Sequence, residues 1–191
     1  MNALTKLPRR AALLLPWAVA ACGGDAPARA MPPLCYDYLT PLRLNVATVD
    51  VGDAPPPSPV EAQSPAPAGA TLRQMALDRL AAGGASGRAV FTIDAAQVDR
   101  SSGHLNGLMA VRLEIFTPDG ARAGFAEARV SRSSITDGDL RGALYNLTRL
   151  MMDDMNVELE FEIRRSLRDW LQDPTAAPPP APVQQQDLPS P

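Results

Sequence analysis

The clearest chemistry in this sequence sits at Cys22. Its thiol follows Val19-Ala20-Ala21, and small side chains ahead of a nucleophile let a processing enzyme accommodate the chain. Upstream lie Lys6, Arg9 and Arg10, then an apolar run from Ala11 to Ala21 broken by Pro16. That run is about 11 residues long, against the roughly 20 that cross a bilayer as a helix. Other reactive residues are sparse. Lysine occurs only as Lys6, so Schiff-base and phosphate-loop lysine chemistry is excluded beyond that position. His104 is the one histidine, and Cys35 the one cysteine besides Cys22. No multi-Cys metal site or supported Cys/His pair can be assembled from them. Cys35 is expected as a half-buried inert thiol near Tyr36 and Leu39, the alternative being a bond to another molecule in an oxidising compartment. Asp137 with Asp139, and Asp153 with Asp154, read as a helix cap and a solvated helix side rather than as a cation site. Gly83-Gly84 with Gly87 follows a helix and lacks phosphate-loop spacing. His104, just before a strand and beside Ser101, Ser102 and Gly103, reads as a loop residue. No catalytic residue, metal or cofactor is expected, and the chain reads as a non-enzyme.

The basic, apolar and small-residue sections before Cys22 have the layout of a secretory signal, and Val19-Ala20-Ala21-Cys22 resembles the lipobox of bacterial lipoproteins. The resemblance implies that residues 1–21 are removed, that the Cys22 thiol carries a diacylglycerol, and that the new amine is acylated by a chain such as palmitate. Two lipid signals already hold a protein stably on a membrane, at about 0.8 kcal/mol per buried methylene. A protein so processed is anchored in the cell envelope, facing the periplasm, without spanning the bilayer. Gly23-Gly24 stand where the enteric members place an aspartate for inner-membrane retention, which favours the outer membrane.

Composition narrows the partners. Removing the signal takes away three positive charges and no negative one, so the formal net charge falls from −3 to −6. An acidic surface argues against nucleic acid or an anionic membrane face as principal partner, since both demand positive charge. The remaining length, about 170 residues, is one domain with flexible ends. Residues 22–33 read as the lipidated tether. Residues 173–191, with Pro178-Pro179-Pro180 and Gln184-Gln185-Gln186, read as a disordered tail. Between them, 34–172 form the domain, carrying a proline-rich loop over 52–69 that can be neither helix nor inner strand.

Periodicity places the elements. Leu42, Leu44 and Val46 alternate with polar neighbours, and the phase slips to Val49 and Val51, which predicts a strand with a bulge near Ala47-Thr48. Thr71-Leu72-Arg73-Gln74 has capping-box form, with Leu72, Met75, Ala76 and Leu80 on one helical face and Gly83-Gly84 as the stop. Two strands follow over 89–95 and 109–115. Thr117-Pro118-Asp119-Gly120 predicts a turn into a fourth, roughly Ala121 to Arg132. Pairing outward from it sets Ile115 near Ala123 and Leu113 near Phe125 on the apolar face, with a bulge expected near Ala126. Last comes a helix of about 30 residues within 140–172, with Thr136 and Asp139 in capping-box relation. Leu140, Leu144, Met151, Met155, Leu159, Ile163 and Leu167 share its main face. Met151 and Met152 read as core filler.

A second stripe, Leu150, Val157 and Phe161, lies within about 40° on a helical wheel and away from that face. It is either a partner surface or covered by the first helix and loops. The order β-α-β-β-β-α predicts an α+β domain, an antiparallel sheet of about four strands with two helices on one face. In layout, over about residues 34–172, it resembles the small envelope lipoproteins that assist lipid-trafficking ABC transporters or lipopolysaccharide assembly, departing by its proline-rich insert. The resemblance implies an accessory lipoprotein that binds another envelope protein through its sheet edge or this stripe. The alternative is a binder of a lipid or other small amphiphile, held in an apolar cavity between helices and sheet.

Overall fold

The alternating segments at the centre of the chain fold into an antiparallel meander in the computed structural model, which describes residues 31–136 and 138–172. Its strands are β4 (Arg88–Ser101), β5 (His104–Phe116) and β6 (Arg122–Ile135), numbered here in chain order. Ala89, Phe91 and Ile93 on β4 and Met109, Val111, Leu113 and Ile115 on β5 point into one core. β4 and β5 run further than the alternation suggested, because Ser102 and Gly103 both take positive φ (51° and 80°) and close a two-residue hairpin that continues the strand twist. His104 is therefore the first residue of β5. At the next turn Gly120 (φ 86°) donates its N–H to the Thr117 carbonyl at 2.9 Å, as the Pro-Asp-Gly signal requires.

The register beyond that turn departs from expectation. Phe116 pairs with Arg122 as pairing from the turn demands, but the ladder then shifts, leaving Ala123 over and setting Ile115 opposite Gly124. The bulge thus lies at Ala123, not near Ala126. A one-residue slip exchanges the two faces of a strand. Ala126, Ala128 and Val130 enter the core, while Phe125 sits outside at 46% exposure, opposite Glu114.

The segment expected as one bulged strand is two. β1 (Leu42–Leu44) and β2 (Thr48–Val51) are separated by a tight turn in which Val46 N–H donates to the Leu44 carbonyl at 2.8 Å. They belong to different sheets. β2 lies parallel to β4 and completes a four-stranded sheet of order β2-β4-β5-β6, so this sheet is mixed rather than antiparallel. β1 pairs in parallel with β3 (Leu80–Ala82). Parallel pairing needs a long crossover, and the proline-rich stretch with α1 (Ala68–Arg79) supplies it. The stretch is held in place: the Ser58 hydroxyl donates to the Val98 carbonyl at 2.8 Å, and a 3₁₀ turn forms at Glu61–Gln63.

Both helices pack on one face of the four-stranded sheet. α1 starts earlier than the capping box implied. Thr71 lies inside it, donating to the Pro67 carbonyl at 2.9 Å, and the first helical N–H, that of Ala68, is taken by the Glu61 carboxylate at 2.6 Å. It also ends before Gly83, since Leu80 already belongs to β3. Leu72, Met75, Ala76 and Leu80 are buried as their spacing predicts. α2 (Leu140–Ser166, 27 residues) buries Leu144, Met151, Met152, Met155, Leu159 and Ile163, and a 3₁₀ turn at Arg168–Trp170 follows it. Its cap is Asp139 alone, whose carboxylate accepts the Gly142 N–H at 2.9 Å, whereas the Thr136 hydroxyl donates to Gly103. With the ladder slipped at Ala123, Ala126→Asp places an unpaired charge in the core and lowers stability by about 3 kcal/mol. Phe125→Asp changes it by no more than about 0.5 kcal/mol in urea titrations; the reverse ranking would restore the unshifted register.

Candidate functional site

Among the described residues the sequence candidates are Leu150, Val157 and Phe161, and α2 keeps all three off its core side. Val157 is 71% exposed, Phe161 56% and Leu150 37%. α1 leaves the stripe open because it meets α2 on the flank of Asn156 and Glu160, about a quarter turn away. There Arg79, 3% exposed, reaches from the last turn of α1. Its guanidinium donates to Glu160 Oε2 at 2.7 Å, to Asn156 Oδ1 at 3.2 Å and to the Thr40 carbonyl at 3.2 Å. The Arg79 hydrogen bond holds the Glu160 carboxyl below its usual range, with a further contribution from Arg164 four residues on. This buried staple fixes the rotation of α2 and so the direction its stripe faces.

The N-terminal approach to the domain runs over the same helical layer. Tyr36 is buried, its N–H donating to Asp78 of α1 at 2.8 Å, and the Tyr145 hydroxyl of α2 donates to the Pro32 carbonyl at 3.0 Å. Because Tyr36 takes the inward place of this extended segment, its neighbour Cys35 points out and is exposed, not half-buried as expected. The lipobox residues 19–22, the tether up to residue 30, Asp137 and the tail from 173 lie outside the described residues.

The sheet face opposite the helices is a lattice of charges. Arg112 bridges Asp94 at 3.1 Å and Glu114 at 3.6 Å, and Arg122 meets Glu114 at 3.0 Å. Arg88 and Arg122 stack over Phe116 and Phe125 at 4.7 and 5.2 Å, covering the rings that the register leaves outside. Asp153 pairs with Arg149 and Asp154 with Arg132. His104 is exposed at the hairpin, paired across to Ser101 and Ile135.

What sequence reading missed is the seam between α2 and β6. A shallow groove of about 470 Å³ opens between Gly124–Glu127 and Glu162, Arg165 and Ser166. A second, of about 220 Å³, lies at the other end between Ser134, Ile135 and the first turns of α2. Its only sequence signal was the run of small residues in β6, which alternation alone does not tell from a weak strand.

No family model matches the chain, and no curated protein sequence does. Among solved structures it is similar to a Xanthomonas campestris protein of the DUF330 family, at 12% identity and TM-score 0.40, over 73% of this chain and 95% of that one. It is also similar to a protein from Caulobacter crescentus CB15 provisionally described as a lipoprotein, at 12% identity and TM-score 0.28, over 59% of this chain and 90% of that one. Likenesses this loose carry no residue roles across. No helix among the described residues is long and apolar enough to cross a membrane.

Two buried charges give the positioning framework measurable signatures. Arg79→Ala leaves Glu160 with Arg164 alone and Asn156 Oδ1 without its donor, and is expected to cost about 1 to 3 kcal/mol in chemical denaturation. Glu61, 1% exposed, keeps one oxygen without a partner, and burial raises its carboxyl above the ordinary 4.5. Between 4.5 and the raised value the folded chain binds more protons than the unfolded one, so this group lowers stability as pH rises through that window. Glu61→Gln, which keeps an oxygen for Ala68, is expected to remove that part of the slope; an unchanged difference between pH 4.5 and pH 7 would contradict it.

Proposed function

We propose that this chain is a membrane-anchored, periplasm-facing accessory lipoprotein that binds another envelope protein, serving transport or envelope assembly and catalysing nothing itself. The observation that carries the reading is the pair Val157 and Phe161, apolar, adjacent on the helical wheel and largely open to solvent on a helix whose core contacts are already complete. Arg165, with its guanidinium 5.8 Å from the Phe161 ring centre, covers that ring only from one side. The charge lattice on the opposite sheet face makes that face the poorer docking surface, because Asp94, Arg112, Glu114 and Arg122 are matched within the sheet.

The anchor rests on Cys22 and its resemblance to a lipobox, with Gly23-Gly24 favouring the outer membrane. The alternative, an amphiphile held between helices and sheet, is less well supported. That space is filled by Phe91, Met75, Met109, Met151 and Met152, all with no exposed surface.

Both parts can be tested in the native envelope. Cys22→Ala is expected to abolish incorporation of labelled palmitate and release the protein from membranes; undiminished label would remove the anchor from the reading. Phe161→Glu and Val157→Glu should each weaken capture of the envelope partner by tenfold or more, on the order of 1.4 kcal/mol or above, without loss of fold. Retention of every partner by both variants would overturn the stripe as the binding surface.

A further inference from the structure

The two edges of the four-stranded sheet are treated differently. β2 is four residues long and is followed closely by Pro55-Pro56-Pro57, which cannot continue a ladder. β6 is fourteen residues long, contains no proline, and pairs with no described strand on its outer side. Its unpaired N–H and C=O groups are a template for another strand. Both grooves of the seam open along this edge.

Above the edge hangs a flank of α2. Asp154 bonds Arg132 of β6 at 2.5 Å, and Glu162 lines the larger groove. Glu158 lies four residues from each and so faces the same way. Asp154 and Glu162 have arginine partners, Arg132 and Arg165. Glu158 is half-buried and has no ion-pair partner among the described residues. A strand added to β6 would pass its helix-side residues beneath this acidic flank, where a basic side chain would meet Glu158.

A second copy of the chain does not fit. α2 packs mainly over β6 itself rather than over β5. Adjacent strands are about 4.8 Å apart, whereas packed helices need about 8 to 10 Å between axes. Pairing β6 with β6 of another copy would drive the two α2 helices into each other. The occupant must be a strand with nothing built over it.

We propose that the outer edge of β6 is a strand-addition site for an extended, proline-free, basic segment of a partner protein, bound through backbone hydrogen bonds and the Glu158 flank. The proposal rests on the reading of this chain as a binding module and names the chemistry of a segment it binds. Such sites take affinity from the main chain and tolerate sequence, so a synthetic peptide of residues 122–135 is a suitable probe. Carrying Ala128→Arg and laid antiparallel about that position, it puts an arginine on the helix side opposite Ala128, between the stretches that meet Asp154 and Glu162 and so beneath Glu158, and it carries no helix.

The experiment is amide hydrogen exchange on the purified full-length protein with and without this peptide. The expected result is exchange slowed about tenfold in β6 and not in β4, lost when that peptide also carries Val130→Pro, and needing about tenfold more peptide for the protein variant Glu158→Lys. No slowing in β6, or equal slowing by the proline peptide, would overturn the proposal. So would slowing that rises with protein concentration alone and accompanies a dimer in light scattering, since it would make the occupant a second copy. A negative result beside intact Phe161-dependent capture removes only the strand-addition site; the opposite pattern removes the stripe and leaves this edge.

Discussion

The close approach of α2 to the sheet depends on what β5 and β6 do not carry. At Gly107 an added Cβ would overlap Met151 Sδ, and at Gly124 it would come within 2.8 Å of Leu167 Cδ2. Ala126 and Ala128 continue the same bare track along β6. With so little side chain beneath it, the helix fits its methionines and leucines into the gap and packs at core density. Both proposed binding surfaces follow from that fit. The stripe is turned away because the opposite side of α2 is committed to the sheet, and the seam exists because the helix lies over the last strand rather than between two.

Packing alone would allow α2 to rotate or slide, and the polar groups narrow that freedom. Arg79 is nearly inaccessible and carries its charge into the boundary between the helices, which is costly unless the charge is matched. Glu160, Asn156 and the Thr40 carbonyl match it, each at one position along α2 or the incoming chain. Glu61 plays the corresponding part for α1, spending a buried carboxylate on a helix N-terminus that the sequence otherwise leaves uncapped. Both groups make the helical layer specific rather than merely stable, and this layer also holds Pro32 and Tyr36 of the segment that leads into the domain.

Much of this architecture was legible because period and burial coincide. The meander, its Pro-Asp-Gly turn and the long helix are written as apolar residues at spacings of two or near four, and their buried sets match those spacings closely. Legibility failed where a single residue changes the outcome. Nothing local distinguishes Ala123 from Ala126 as the residue left over in the ladder, yet the choice moves Phe125 from core to surface. Nor does alternation from Leu42 to Val51 reveal that a tight turn at Val46 hands the chain from one sheet to another. Parallel pairing of β2 with β4 was hidden too, because the direction of a strand is set by what lies between the strands, and the proline-rich crossover has no period to read.

The sequence by itself determined the chemistry that needs no folded neighbour: a thiol at Cys22 behind small residues, a chain without lysine beyond residue 6, an acidic balance, and the amphipathic faces of the helices. It also marked Val157 and Phe161 as surplus to the core, since the angle between two stripes on one helix is a property of spacing alone. Only the tertiary structure decided whether that surplus was covered, which side chains held α2 in rotation, and that β6 was left, among the described residues, as an open edge beneath an acidic flank. Those outcomes depend on contacts between residues dozens of positions apart, such as Arg79 with Glu160 and Arg132 with Asp154. Their energies exist only once the chain has brought the partners together.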